Sequence, residues 1–228
     1  MRLIIVRHGE PDYVRDCLTP LGHRQAQAAR RLQNEGIEEI YASPMGRARE
    51  TAQYTADALH LPVQILPFMH ELRWGSADGE PLFADGHPWT IADELIRQGW
   101  DLTDPAWPDH PYFRRNTVTA ETEKVARESD RWLAGLHYPR EGHFYRCAQT
   151  DDRQRTVALF CHGGSSTALL ARLLNLPFPY LCAAVHLDFT GIFICRFARI
   201  PGQPCLPIIE LAGDSRHLKE AGATDPQA

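Results

Sequence analysis

No apolar run in this 228-residue chain approaches the ~20 residues of a membrane-spanning helix. The apolar stretch Leu3–Val6 near the start is also too short for the core of a signal peptide. Basic charge is not in excess: the formal net charge of −5 gives no overall attraction to nucleic acid or anionic lipid. The six cysteines (Cys17, Cys147, Cys161, Cys182, Cys195 and Cys205) contain no CxxC pair, and several lie inside apolar runs, where a reduced thiol packs as a small hydrophobe. The histidines outside the motifs below show no paired ligand spacing, so no metal is expected. No segment repeats. These absences predict a cytoplasmic protein with neither nucleic-acid nor membrane partners, whose anion binding must come from a local cluster of Arg and His.

What is present is ordinary globular composition, 43% hydrophobic and 23% charged, enough for one large core and short for two. One domain over residues 1–228 is expected. Apolar runs alternate with helical patterns, predicting an α/β layered fold with a mostly parallel sheet. The expected strands are Leu3–Val6, Glu39–Ala42, Val63–Leu66, Thr156–Cys161, Ala184–Phe189 and Ile192–Phe197. Thr19-Pro20 opens a helix in cap-then-proline order that Gly36 ends; further helices are expected over Arg47–Leu59, Val118–Leu136 and Ser166–Leu174. Between Glu71 and Asn116, prolines, glycines, Trp74, Trp89, Trp100, Trp107, His87 and His110 interrupt any period. Residues 76–116 read as an insertion that caps a site, with one helix near Trp89–Gln98 and its tryptophans spent on core or lid packing. Arg140–Gln154 reads as a polar surface loop, and the last dozen residues as a frayed tail.

Two buried-strand runs each end on histidine and glycine: Leu3-Ile4-Ile5-Val6 delivers Arg7-His8-Gly9-Glu10, and Val157–Cys161 delivers His162-Gly163-Gly164. If these strands are neighbours in a parallel sheet, both imidazoles reach one crevice, and the glycines let backbone amides approach an anion. Phosphoryl transfer needs placed cations, and arginine's planar, permanently charged fork suits it. Arg7 adjoins His8, and Arg47 opens a helix after a strand in Ser43-Pro44-Met45-Gly46-Arg47-Ala48. A leaving alcohol also needs a proton donor. Glu71, just after a strand, is the candidate, with Asp78, Glu80 and Asp85 as rivals.

At this point the chain resembles the histidine phosphatase superfamily, also called phosphoglycerate mutase-like, over nearly its whole length. Arg7-His8-Gly9-Glu10 stands after the first strand, followed by Leu18-Thr19-Pro20-Leu21-Gly22-His23-Arg24-Gln25-Ala26, which is similar to LTxxGxxQA. Ser43–Ala52 resembles SPLxRAxxTA, so the family's second phosphate-binding arginine falls on Arg47 and not on Arg49. The stretch around Glu71 resembles LxExxxGxxEG, with Met69 for the leucine and Asp78-Gly79 for Glu-Gly; Phe160–Gly164 resembles the strand ending in HGG.

The resemblance implies a three-layer α/β/α sandwich and a phosphohistidine on His8. It also implies a phosphate pocket of Arg7, Arg47, His162 and Gly163, Glu71 as acid and later base, and neither metal nor cofactor. Two positions depart from the pattern: the asparagine many members carry after the nucleophile falls on Val14, and the arginine after HGG falls on Thr167.

The expected activity is a phosphoric monoester hydrolase acting on a small phosphorylated substrate. The alternatives are a phosphoglycerate mutase and a non-catalytic module that binds phosphorylated partners. The family's mutases carry ERHYG and HGN where this chain has Glu71-Leu72-Arg73-Trp74-Gly75 and His162-Gly163-Gly164, which favours hydrolysis. The aromatic content of the insertion suggests a partly apolar leaving group. Arg114-Arg115 is read as an exposed charged pair or as a contact for a second anionic group. Oligomeric state stays open, a homodimer being one option.

Overall fold

Strand β1 (Arg2–Arg7) carries four consecutive side chains, Leu3 to Val6, that are fully buried. An unbroken apolar run of this kind suits a central strand covered on both faces. The computed structural model, which describes residues 1–224, places β1 inside a six-stranded sheet. The others are β2 (Glu39–Ala42), β3 (Val63–Ile65), β4 (Thr156–Cys161), β5 (Ile192–Arg196) and β6 (Ile208–Asp214). Their spatial order is β6-β5-β1-β4-β2-β3; β1, β4, β2 and β3 run parallel, while β5 and β6 run antiparallel to their neighbours.

The period of two along each strand divides the core. Leu3, Ile5, Val157 and Leu159 belong to one cluster, with side chains of α4 (Thr117–Gly135), α5 (Gly163–Leu174) and α6 (Phe178–Ala184). Ile4, Val6, Ala158 and Phe160 belong to the other, with Leu32 and with Ala52 and Ala56 of α2 (Gly46–Leu59). Helix α1 (Pro20–Ala29) packs on α2, which completes the three layers. Helices α3 (Pro88–Arg97), from the insertion, and α7 (Arg216–Glu220) complete the helical set. Among the described residues no single helix is long and apolar enough to cross a membrane.

Thr19 caps α1, its hydroxyl accepting from the Gly22 amide at 3.0 Å, and Pro20 follows at the first helical position. Gly9 and Gly22 meet face to face: a Cβ on Gly9 would lie 2.6 Å from the Gly22 carbonyl oxygen, and one on Gly22 would lie 2.1 Å from the Glu10 carbonyl oxygen. The glycines of two distant motifs are therefore one packing requirement, which seats the start of α1 against the loop leaving β1.

Several segments differ from the sequence reading. Ala184–Phe189 is no strand: α6 ends at Ala184, and the following chain is used at the site, where the Leu187 carbonyl accepts from Arg7. Helix α5 starts at Gly163, a turn before the expected Ser166, because Gly164 has no Cβ to collide with the Glu71 carboxylate. Arg140–Gln154 is not simply a surface loop. It contributes Arg140–Glu141 and Phe144–Arg146 to a small sheet with Pro204–Cys205 and buries Tyr145 and Cys147, an alternation masked by its polar composition. Strand β6 escaped the reading because its register slips on both sides of Leu211. In the expected tail, α7 buries His217 and Leu218; residues 225–228 lie outside the described part.

Candidate active site

The parallel register brings the motifs together. Arg7 pairs with Cys161 and Ala42 with Phe160, so His8, His162 and Ser43 emerge side by side at the carboxyl ends of β1, β4 and β2. The backbone continues the ladder: the His8 amide donates to the Cys161 carbonyl and the Ser43 amide to the Phe160 carbonyl, both at 2.9 Å. The two imidazoles are 5.0 Å apart between ring centres, and both are buried.

His8 has one defined tautomer. Its Nδ1 lies 2.6 Å from the Gly9 carbonyl oxygen, which can only accept, so Nδ1 carries the proton and Nε2 the lone pair. Arg47 Nε donates to that Nε2 at 3.2 Å. Burial above all, helped by Arg7 and Arg47 and opposed by the Gly9 carbonyl, pulls the His8 pKa down to about 3. The ring is therefore neutral across the physiological range.

Arg47 is 4% exposed and is held by a residue the sequence reading passed over. Asp16 Oδ1 accepts from its Nη1 at 2.5 Å, and Asp16 Oδ2 accepts from the Gly46 amide at 2.7 Å, at the start of α2. Asp16 does this with φ +52, a left-handed conformation that aspartate tolerates better than most residues. The only sequence signal was an Asp before Cys17 in a short loop. On the other side, Arg7 Nη1 donates to the Leu187 carbonyl at 2.6 Å, and its guanidinium lies 4.2 Å from the centre of the Phe189 ring.

His162 Nε2 and Ser43 Oγ are 2.7 Å apart; Ser43 too carried no assigned role, although it heads the Ser43–Ala52 motif. Burial first, then His8 and Arg47, pushes the His162 pKa far down. His162 Nδ1 and Arg7 Nε are buried and make no hydrogen bond among the described residues. Two buried nitrogens left in this state beside a neutral imidazole fit a site that takes an anion, since such groups are otherwise costly.

Glu71 reaches the same place from the connection between β3 and the insertion. Its Oε1 accepts from the Leu72 amide at 2.9 Å and the Ser165 amide at 3.1 Å, so the N-terminus of α5 holds the carboxyl. Burial nevertheless raises its pKa above the usual carboxylate range, against those amides and Arg7. Its sequence rivals lie elsewhere: Asp78 is tied to Arg115 at 2.7 and 3.1 Å on the surface, and Glu80 and Asp85 are exposed. Arg114 is exposed, and neither it nor Arg115 lines the cavity.

A cavity of about 470 Å³ opens over Arg7, Glu71, Gly163 and Gly164. Its outer walls are Tyr13, Trp74, His87, Trp89, Thr167 and the chain from Cys182 to Leu187. Trp89, Trp100 and Trp107 all pack against the core; Trp89 also lines this cavity, together with Trp74. Val14 is 96% exposed and turns away as a phosphate ligand, and Thr167 is spent on the Gly163 carbonyl at 2.8 Å. Among the described residues no group of His, Cys, Asp and Glu is placed to hold a metal ion.

The neutral imidazoles have a measurable cost in acid. The folded chain resists protonating His8 and His162, while the unfolded chain takes those protons near pH ~6.5. Stability therefore falls as pH drops below that value, by roughly 2 kcal/mol per imidazole between pH ~7 and ~5. Glu71, with its pKa raised, works in the opposite sense: it costs stability as pH climbs above ~4.5. Urea midpoints measured at several pH values should fall steeply on acidification in the wild type and less steeply in His162→Gln; flat midpoints would contradict the neutral, buried imidazoles.

The comparisons with known proteins bear on the family and the fold. The chain matches the histidine phosphatase superfamily (branch 1) over residues 3–199. It is 25% identical over 235 residues to a probable phosphoglycerate mutase of Yersinia enterocolitica, covering 96% of this chain and 95% of that one. It resembles the solved structure of mycobacterial glucosyl-3-phosphoglycerate phosphatase with inorganic phosphate, with TM-score 0.62, 25% identity and coverage of 95% and 98%. A phosphoserine phosphatase from Entamoeba histolytica in complex with 3-phosphoglyceric acid shares the fold, with TM-score 0.61, 21% identity and coverage of 95% and 98%.

Proposed function

Because the chain belongs to the histidine phosphatase superfamily (branch 1), we propose that it is a phosphomonoester hydrolase working through a phosphohistidine on His8. The observation that carries the reading is the tautomer: Nδ1–H is tied to the Gly9 carbonyl, so the free lone pair belongs to the Nε2 that Arg47 meets. A neutral, oriented imidazole is the form that attacks phosphorus.

In this reading Arg7, Arg47, His162 and the Gly163 amide bind the phosphoryl oxygens. Arg47 Nε transfers its hydrogen bond from His8 Nε2 to the entering phosphate, while Asp16 keeps its Nη1. Nε2 then attacks phosphorus, the ester P–O bond breaks, and protonated Glu71 gives its proton to the leaving oxygen. In the second half Glu71, now a carboxylate, takes a proton from water as the water attacks phosphorus; the N–P bond breaks and inorganic phosphate leaves. Charge on the equatorial oxygens is met by fixed guanidinium groups throughout. Residues 76–116 serve as the cap of a single domain.

The family and the structural neighbours support a phosphatase or a mutase activity. Hydrolysis is favoured because a phosphoglycerate mutase must hold its substrate's carboxylate, and among the described residues no Lys or Arg other than Arg7 lines the cavity. The purified protein should release inorganic phosphate from p-nitrophenyl phosphate at a rate exceeding any interconversion of 3-phosphoglycerate primed with a bisphosphoglycerate. Mutase turnover far above hydrolysis would reverse the ordering.

A further inference from the structure

The cavity is chemically divided. At its floor lie Arg7, Glu71 and the glycines of α5, the groups assigned to phosphate and proton transfer. Its outer part is aromatic: Trp74 stands edge-on to His87 (5.3 Å, 76°) and to Trp89 (6.2 Å, 79°), with His87 and Trp89 5.3 Å apart. Trp74 is 40% exposed and Tyr13, across the mouth, 68% exposed, so large ring surfaces face the cavity and are not used in the core. His87 is anchored through Nδ1 to the Thr90 hydroxyl at 2.8 Å, and burial lowers its pKa, which keeps this wall uncharged. The stretch Cys182–Val185 adds small, apolar lining. His186, also at the rim, is turned to Asp188 at 2.9 Å.

The edge-on contacts fix the Trp74 ring and leave part of its surface exposed to the cavity, where a flat group can stack. Among the described residues a leaving group bearing a carboxylate would meet no free cation in the outer cavity and would lose hydration. We propose that the substrate is a phosphomonoester of an uncharged alcohol carrying an aromatic or heteroaromatic ring, which Trp74 and Trp89 receive. This inference rests on the phosphomonoesterase reading and adds the identity of the leaving group to it.

The test compares kcat/KM for benzyl phosphate, propyl phosphate and 3-phosphoglycerate. The alcohols released from the first two esters are of similar acidity, so their ratio reports binding in the outer cavity and not bond breaking. Benzyl phosphate should exceed propyl phosphate by about tenfold or more, since each ~1.4 kcal/mol is a factor of ten, with 3-phosphoglycerate the poorest. In Trp74→Ala and Trp74→Leu the benzyl-to-propyl ratio should fall toward one; the leucine variant keeps apolar volume while removing the ring. Hydrolysis of all three esters without an aromatic preference, or a ratio untouched in both variants, overturns this inference and leaves the phosphatase reading intact. Failure to release phosphate from any ester overturns both.

Discussion

His8→Ala abolishes phosphate release, by a factor of about 10⁴–10⁶ on kcat, and the protein no longer carries acid-labile phosphate after exposure to substrate. The size follows from the loss of the covalent route: water would have to displace the leaving group directly, helped only by charge stabilisation from Arg7, Arg47 and His162. The backbone remains in place, since the His8 amide is bonded to Cys161 and its carbonyl accepts from Thr190, neither through the side chain. The variant should therefore keep its secondary structure by circular dichroism and still be stabilised thermally by inorganic phosphate. Wild type and variant hydrolysing equally well would place the nucleophile elsewhere.

Glu71→Gln separates the two halves of the reaction. Glutamine keeps an oxygen to accept from the Leu72 and Ser165 amides, so the local packing survives while the transferable proton is lost. With an alkyl phosphate, whose leaving oxygen needs that proton, turnover should drop by roughly 10²–10⁴. With p-nitrophenyl phosphate, whose leaving group departs as an anion, the first half should proceed near the wild-type rate, giving a burst of nitrophenolate equal to the enzyme present. Slow release then follows, because attacking water has lost its base. Asp78→Asn, altering an exposed ion pair with Arg115, should change neither phase by more than about twofold. Equal losses in both phases and with both substrates would assign the proton to another group.

The clustering of the candidate site was legible because its side chains are delivered by strand ends. Leu3–Val6 and Val157–Cys161 are unbroken apolar runs, each followed at once by histidine and glycine, and the parallel register of β1 with β4 puts those ends side by side. Arg47 could be read for a similar reason, as the first turn of a helix after β2. Asp16 and Ser43 were invisible as participants because their roles exist only across the fold: one side chain reaches from a short loop to Arg47, the other from the end of β2 to His162.

The misread segments have a common cause. Ala184–Phe189 has the composition of a strand, yet the edge of β1 it would need is taken by β5, and the Leu187 carbonyl bonds Arg7 instead. Arg140–Gln154 has the composition of a loop, yet Pro204–Cys205, distant in sequence, supplies the pairing partner that lets Tyr145 and Cys147 turn inward. Composition records how well a segment suits a strand; whether an open edge is available is a property of the assembled sheet.

By itself, the sequence determined the layered α/β architecture, the two histidines at strand ends and the arginine that opens α2, because each depends on contacts within a few residues along the chain. Only the tertiary structure decided which nitrogen of His8 holds the lone pair, which carboxyl among four candidates reaches the centre and which tryptophans line the cavity. The nearest partners, the Gly9 carbonyl and the Leu72 amide, are chain neighbours. Burial and the distant partners Arg47 and Ser165 are set only by the fold, so protonation and access are not defined until the chain has folded.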